Sequence, residues 1–164
     1  MVLGMTPFTF FHVLLSLVGI FSGVVVVLGL MTARRLDGWT LVFLVTTLAT
    51  SITGFMFPFH KLLPSHILGA MSIVLLAFAI YGRYARQLAG GWRLTYVVTA
   101  VISFYFNVFV LIVQLFEKVP ALHALAPTQA EAPFKIAQLS ALLLFIVLGV
   151  LSARGFRREA VATA

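Results

Sequence analysis

Four histidines are the side chains in this sequence best suited to bind a metal ion or a haem. Imidazole is a common ligand of zinc, copper and haem iron, and His12, His60, His66 and His123 lie close to the ends of long apolar segments or between them. We predict that any such site forms between His12, His60 and His66, with Glu117 or His123 closing it. For a haem, His12 and His66 would be the axial pair.

The spacing of these histidines leaves other interpretations open. It matches no local metal-binding motif such as HExxH, so the imidazoles could instead bond to backbone carbonyls and water at a membrane interface. Phenylalanines crowd the same segment ends and could line a pocket for an apolar ligand such as a quinone: Phe8, Phe10, Phe11, Phe55, Phe57, Phe59, Phe116 and Phe134. The identity of a cofactor is therefore left open.

Hydroxyl and amide side chains recur inside the apolar segments at helical spacing, and we call them the polar stripe. Asn107 lies near the middle of its segment, where an amide needs a partner because no water competes for it. Hydrogen bonds between membrane helices typically contribute about 0.6 kcal/mol, which favours a structural role. A pathway for a small solute is the alternative. The polar stripe consists of Thr46, Thr50, Thr99, Ser103, Asn107 and Gln114.

Gly19 and Gly23 form a GxxxG pair in the first apolar segment. In lipid there is no hydrophobic force between helices, so small residues promote association by letting two backbones approach closely. The pair therefore predicts helix packing. A seam inside the helical bundle is favoured over self-dimerisation, because the motif alone is weakly specific.

Several kinds of catalytic chemistry have no counterpart in the sequence. There is no cysteine, which excludes disulfides, thiolate metal sites and cysteine nucleophiles. There is no glycine-rich phosphate loop and no GxSxG nucleophile motif. No pair of carboxylates lies inside an apolar segment, which argues against a proton-driven pump. These observations favour a protein that is not an enzyme.

The elements that must position these residues are membrane helices. Of the 164 residues, 62% are hydrophobic and 9% are charged, whereas soluble domains are about 25% charged. We predict an all-α integral membrane protein: one membrane domain, residues 1–164, forming a bundle of five transmembrane helices. The expected spans are 8–31, 39–59, 66–84, 94–116 and 134–152, with a long loop at 117–133 that contains a short turn at 121–126.

The distribution of charge predicts the orientation. With five spans, all arginines fall on one side of the membrane. The opposite side has three positively charged side chains, and all are lysines: Lys61, Lys118 and Lys135. The positive-inside rule makes the arginine side cytoplasmic, with the N-terminus outside and the C-terminus in the cytoplasm. We expect a bacterial-type cytoplasmic (inner) membrane. The net charge of +7 then reflects topology and contact with anionic lipids, and it does not indicate a nucleic-acid partner.

Three functions remain compatible with the sequence. The favoured hypothesis is a non-enzymatic subunit or assembly partner, bound to another membrane protein or to further copies of itself, because little of the chain lies outside the membrane. The first alternative is an outer-face histidine site for a metal, a haem or a quinone. The second is a channel or carrier for a small solute along the polar stripe.

Overall fold

The protein is an all-helical bundle in the computed structural model, which describes the backbone of residues 5–57 and 64–162 and the side chains of residues 5–57 and 66–157. The prediction of an all-α fold is confirmed. A π-helical turn, Tyr81–Ala85, continues the third helix. The α-helices are α1 (Pro7–Met31), α2 (Asp37–Gly54), α3 (Pro64–Ile80), α4 (Trp92–Lys118), α5 (Pro120–Leu125) and α6 (Ala132–Ala162).

Local sequence explains where α1 begins and where the chain reverses after it. The hydroxyl of Thr6 accepts a hydrogen bond from the amide of Thr9 at 3.1 Å, and Pro7 occupies the first helical position, where its missing N–H has no cost. After Met31 the chain turns through left-handed residues at Ala33 (φ 58°) and Leu36 (φ 42°). Helix α2 begins directly after this turn.

Helices α1 and α2 form an antiparallel hairpin along their whole length. Next to the turn, the side chain of Leu36 packs so closely on Gly29 that a Cβ there would collide with it. At the far end, the imidazole Nδ1 of His12 lies 2.8 Å from the hydroxyl oxygen of Thr53. The hairpin therefore keeps one register from the turn to the beginning of α1.

Helix α4 packs against all the other long helices. Its Phe104 side chain fills the space left by Gly23 of α1, where a Cβ would lie only 2.7 Å from the ring. The same ring meets Phe145 of α6, with centroids 4.9 Å apart, and Phe43 of α2, with centroids 6.2 Å apart. Phe104 thus anchors the centre of the bundle.

Successive long helices run in alternate directions. Contacts near both ends of neighbouring helices establish this: Asp37–Arg83 and Phe55–His66 join α2 to α3, and Arg93–Phe156 and Phe116–Phe134 join α4 to α6. The arginines consequently gather at one end of the bundle, which we call the basic end. His12, His66 and His123 lie toward the opposite end, which we call the histidine end.

Four helices are long and apolar enough to cross a membrane: Pro7–Met31, His66–Ala85, Trp92–Lys118 and Ala132–Arg157. They correspond to four of the five expected spans. Helix α2, which covers most of the expected span 39–59, has only 18 residues and carries Asp37 and five threonines, so its composition is less apolar. In the long loop, α5 occupies the position of the expected short turn.

Candidate functional site

The most distinctive charged group in the structure is the guanidinium of Arg83, whose side chain is 4% exposed. Its Nη2 donates to a carboxylate oxygen of Asp37 and, at 3.1 Å, to the backbone carbonyl of Arg35. Asp37 itself is 83% exposed. The ion pair therefore joins a buried cation to a solvated anion, and it ties the end of α3 to the beginning of α2.

Aromatic rings surround the rest of this guanidinium. Its carbon lies 5.2 Å from the ring centroid of Tyr96 and 5.9 Å from that of Tyr84, distances at which a cation is attracted to a π-face. The Nη1 of Arg83 has no hydrogen-bond partner within the described ranges, 5–57 and 64–162. This charge thus depends on Asp37, one carbonyl and two rings for its stabilisation.

The backbone places Arg83 in the bundle through the π-helical turn. The amide of Arg86 bonds to the carbonyl of Tyr81 at 3.0 Å, one residue further along than in an α-helix. Gly82 lies against Trp92, and a Cβ there would be 3.3 Å from both the carbonyl oxygen and the ring of Trp92. Single π-turns of this kind are frequent at functional sites.

Sequence reasoning did not identify this pair, because it treated Arg83 only as a topology signal. The sequence nevertheless contained two indications that Arg83 and Asp37 could pair. Asp37 is the single acidic residue before Glu117, and it stands at the arginine-rich end, where an unpaired carboxylate has no topological role. Arg83 also belongs to the expected span 66–84, so its charge required a partner.

A second polar cluster lies where α1, α2 and α4 meet. The amide nitrogen of Asn107 donates to the hydroxyl oxygen of Thr47 at 3.3 Å. Gly19 faces both, since a Cβ there would lie 3.2 Å from the hydroxyl of Thr47 and 3.4 Å from the amide of Asn107. The close approach of α1 therefore depends on a residue without a side chain.

The remaining members of the polar stripe are spread over different environments. The hydroxyls of Thr46, Thr50 and Thr99 each donate to a carbonyl four residues earlier in their own helix, at 2.7, 2.8 and 2.7 Å. Ser103 is fully buried, and its hydroxyl has no partner in the described part of the chain. Gln114 is exposed. The structure thus brings Thr46 and Asn107 together around Gly19 and leaves Gln114 apart.

Two of the predicted ligands, His12 and His66, lie against different parts of α2 and the turn after it. His12 bonds to Thr53, and its ring meets Phe57 at 5.1 Å between centroids. The ring of His66 lies 5.8 Å from that of Phe55. His60 lies outside the described residues. Among those that are described, no group of three histidine or acidic side chains is placed to hold a metal, and the site stays a prediction.

The predicted closing residues lie near the long loop. His123 is exposed on α5, and Glu117 is exposed and pairs with Lys118 at 3.0 Å.

Glu131, in the turn before α6, has a structural role. Hydrogen bonds from the side chain of Thr128 and from nearby amides hold the pKa of its carboxyl below the usual value. These contacts stabilise the turn before α6.

An apolar groove runs between α4 and α6, with a volume of about 320 Å³. Gly149 is one of its lining residues, and a Cβ there would lie 3.7 Å from the side chain of Val101 on α4. Tyr105 also lines the groove, with its ring 5.5 Å from that of Phe145. The hydroxyl of Tyr105 makes no hydrogen bond to any described residue. The groove is lined by Val98, Ile102, Tyr105, Ile146, Gly149 and Val150, among others.

The ion pair generates a prediction about stability. We expect Asp37→Asn to destabilise the protein by about 1–3 kcal/mol, because it leaves the buried Arg83 charge without its anion. Arg83→Met should cost no more than this, since the exposed Asp37 carboxylate then remains solvated by water. Both changes are measured as shifts in the midpoint of reversible unfolding in detergent micelles.

Glu117→Gln is the matched control, because it removes a carboxylate from an exposed ion pair and should change stability by less than about 0.5 kcal/mol. Equal midpoints for Asp37→Asn and Glu117→Gln would show that the buried charge does not depend on Asp37.

Comparison with known proteins gives no family to which the chain can be assigned. No family model matches it, no curated protein matches it, and no solved structure matches it.

Proposed function

We propose that this chain is a five-span membrane subunit that binds a transmembrane helix of another membrane protein in the groove between α4 and α6. The observation that carries the proposal is the hydroxyl of Tyr105. Tyr105 is the central residue of the 27-residue helix α4, so the hydroxyl lies at the depth of the hydrocarbon core. A polar group there needs a hydrogen-bond partner, and a partner helix can supply one.

The shape of the groove supports the same proposal. Gly149 lines the groove, and a small residue on a helix surface lets a neighbouring helix approach closely and gain van der Waals contact. The other lining side chains are apolar, and several are highly exposed: Ile146 is 54% exposed and Val150 is 45% exposed. A helix seated here would cover apolar surface and satisfy the Tyr105 hydroxyl at once.

The contacts of α2 support the five-span arrangement. Helix α2 runs beside α1 from the Gly29–Leu36 contact to the His12–Thr53 bond. Its 18 residues extend about 27 Å at 1.5 Å per residue, which is close to the thickness of the hydrocarbon core. Asp37, its single acidic residue, lies at its very end and therefore at headgroup level.

The charges support a cytoplasmic basic end. Seven arginines whose side chains the structure describes gather there, on the turn after α1, on or beside the α3–α4 connection and on the end of α6: Arg34, Arg35, Arg83, Arg86, Arg93, Arg154 and Arg157. By the positive-inside rule this end faces the cytoplasm, with the N-terminus outside and a bacterial-type inner membrane as the setting.

Polar contacts inside the bundle support a structural role for the polar stripe over a solute pathway. Three threonine hydroxyls are occupied by their own helix backbone, and Asn107 donates to Thr47. A conduit needs such groups to face a continuous opening and not one another.

The topology is tested with reporters fused to either end of the chain. We expect a reporter that is active only in the cytoplasm to work after Ala164 and to fail before Met1. An extracytoplasmic reporter should give the opposite pattern. Activity of the same reporter at both ends would mean an even number of crossings, and α2 would then lie outside the membrane core.

Partner binding is tested by photo-crosslinking in native membranes. A photoreactive side chain at Ile146, in the groove, should capture one discrete protein, whereas the same side chain at Val74, an equally exposed position on α3, should not. Gly149→Leu adds a bulky side chain to the lining of the groove and should abolish the Ile146 product. Tyr105→Phe removes one hydrogen bond and should weaken capture about threefold.

The pattern of products decides between the possible partners. A crosslinked product with twice the mass of this chain would show that the groove binds a second copy of the chain and not another protein. Equal capture at Ile146 and Val74, or an Ile146 product that Gly149→Leu leaves unchanged, would contradict the groove as the binding surface.

A second candidate function, a metal or haem site at the histidine end, is favoured by the hydrogen bonds of His12. The hydroxyl of Thr53 donates its single proton to the carbonyl of Ala49 at 2.7 Å, so it accepts from Nδ1–H of His12 at 2.8 Å. His12 is then a neutral imidazole with an available lone pair on Nε2, and this is the form of histidine that binds metals.

The metal or haem site is tested on the purified protein. We expect either a stoichiometric amount of bound metal or the Soret absorption band of a haem, and we expect His12→Ala to remove that signal. Purified protein with neither metal nor a Soret band would contradict this candidate.

A further inference from the structure

Two buried polar groups without a hydrogen-bond partner lie side by side near the basic end. They are the Nη1 of Arg83 and the hydroxyl of Tyr96, and neither bonds to any residue in the described ranges. Tyr96 is fully buried, and the guanidinium carbon of Arg83 lies 5.2 Å from the centroid of its ring. Leaving a buried donor unpaired costs free energy, and the cost is greater for a charged group. The two groups therefore point to a ligand that both can reach.

Thr40 of α2 supplies an acceptor at the same place. It is fully buried, and its hydroxyl donates to the carbonyl of Arg35 at 3.2 Å, so its oxygen can still accept a hydrogen bond. The hydroxyl of Tyr96 lies near this oxygen and near the guanidinium of Arg83, but it has hydrogen-bond geometry with neither. We call these three side chains, Arg83, Tyr96 and Thr40, the Arg83–Tyr96 site.

The charges around the Arg83–Tyr96 site select a neutral ligand. The guanidinium repels a cation. An anion would be attracted to the N–H and O–H donors, but it would face the lone pairs of Thr40 and the carboxylate of Asp37, which already pairs with Arg83. A small neutral molecule that both accepts and donates hydrogen bonds meets neither repulsion. Water has this chemistry, and buried waters characteristically bond to polar groups that the protein itself leaves unpaired.

We infer that the Arg83–Tyr96 site binds one water molecule. The water oxygen accepts from Nη1 of Arg83 and from the hydroxyl of Tyr96, and one water proton is donated to the hydroxyl oxygen of Thr40. About three hydrogen bonds are typical of a buried water. Because the three side chains belong to α2, to α4 and to the π-helical turn that continues α3, the water joins three helices. The inference does not depend on the groove between α4 and α6 or on its partner.

The test is solid-state NMR of the full chain in lipid vesicles, with ¹³C at Cζ of its four tyrosines and polarisation transferred from water protons. We expect Tyr96 to receive polarisation at short mixing times, as the exposed Tyr84 does, although the ring of Tyr96 is closed to bulk water. Tyr96→Phe assigns the signal by its loss. No transfer to Tyr96 would overturn the inference and indicate that its hydroxyl bonds directly to Thr40 or to Arg83.

A pair of variants with side chains of similar shape tests the hydrogen bond to Thr40. Thr40→Val removes the oxygen that accepts the water proton and should lower the transfer rate to Tyr96 about twofold, because the water loses one of its three partners. Thr47→Val is the matched control, since Thr47 is also fully buried on α2 but its hydroxyl accepts from Asn107, and it should leave the rate unchanged. An unchanged rate in Thr40→Val, or equal losses in the two variants, would contradict the water site.

Exchange of chloride for bromide in the buffer distinguishes water from a bound anion. We expect the Cζ chemical shift of Tyr96 to be the same in chloride, in bromide and without halide, because the ligand next to its hydroxyl is then water in all three. A Tyr96 shift that follows the halide would overturn the water assignment in favour of an anion held by Arg83.

Discussion

The buried guanidinium of Arg83 is the interaction on which the geometry of the basic end depends. It holds Asp37 and the carbonyl of Arg35, and these two groups flank Leu36, the left-handed residue immediately before α2. A buried charge is costly unless it is paired and hydrogen-bonded, so α2 and α3 must meet at this point. The π-helical turn and Gly82 complete the arrangement by seating Trp92, the first residue of α4.

Close packing rather than hydrophobicity holds the middle of the bundle together. In lipid, apolar side chains gain nothing from leaving water, so association depends on contact and on a few polar bonds. Gly19 and Gly23 let α1 approach Asn107 and Phe104 of α4, and Phe104 in turn packs on α6. The polar cluster and the aromatic anchor therefore act one turn apart on the same pair of helices.

The two concave surfaces have different chemistry because they lie at different depths. The groove beside Tyr105 is apolar and lies halfway along α4, with one hydroxyl at its edge. The second surface lies at the basic end, where Arg93 and Arg157 meet the apolar flanks of α4 and α6. Both involve α4 and α6, so one helix pair forms an apolar groove near its middle and a basic concave surface at its end.

Sequence alone determined that the chain is helical and membrane-like, where its long apolar segments lie, and that its arginines share one end, because these properties follow from composition and from charge along continuous segments. Only the tertiary structure decided that Arg83 meets Asp37, that His12 bonds to Thr53, and that Gly19 faces Asn107. These pairs are far apart in the chain. The helices are apolar on nearly all sides, so their hydrophobic pattern carries little information about which face meets which neighbour.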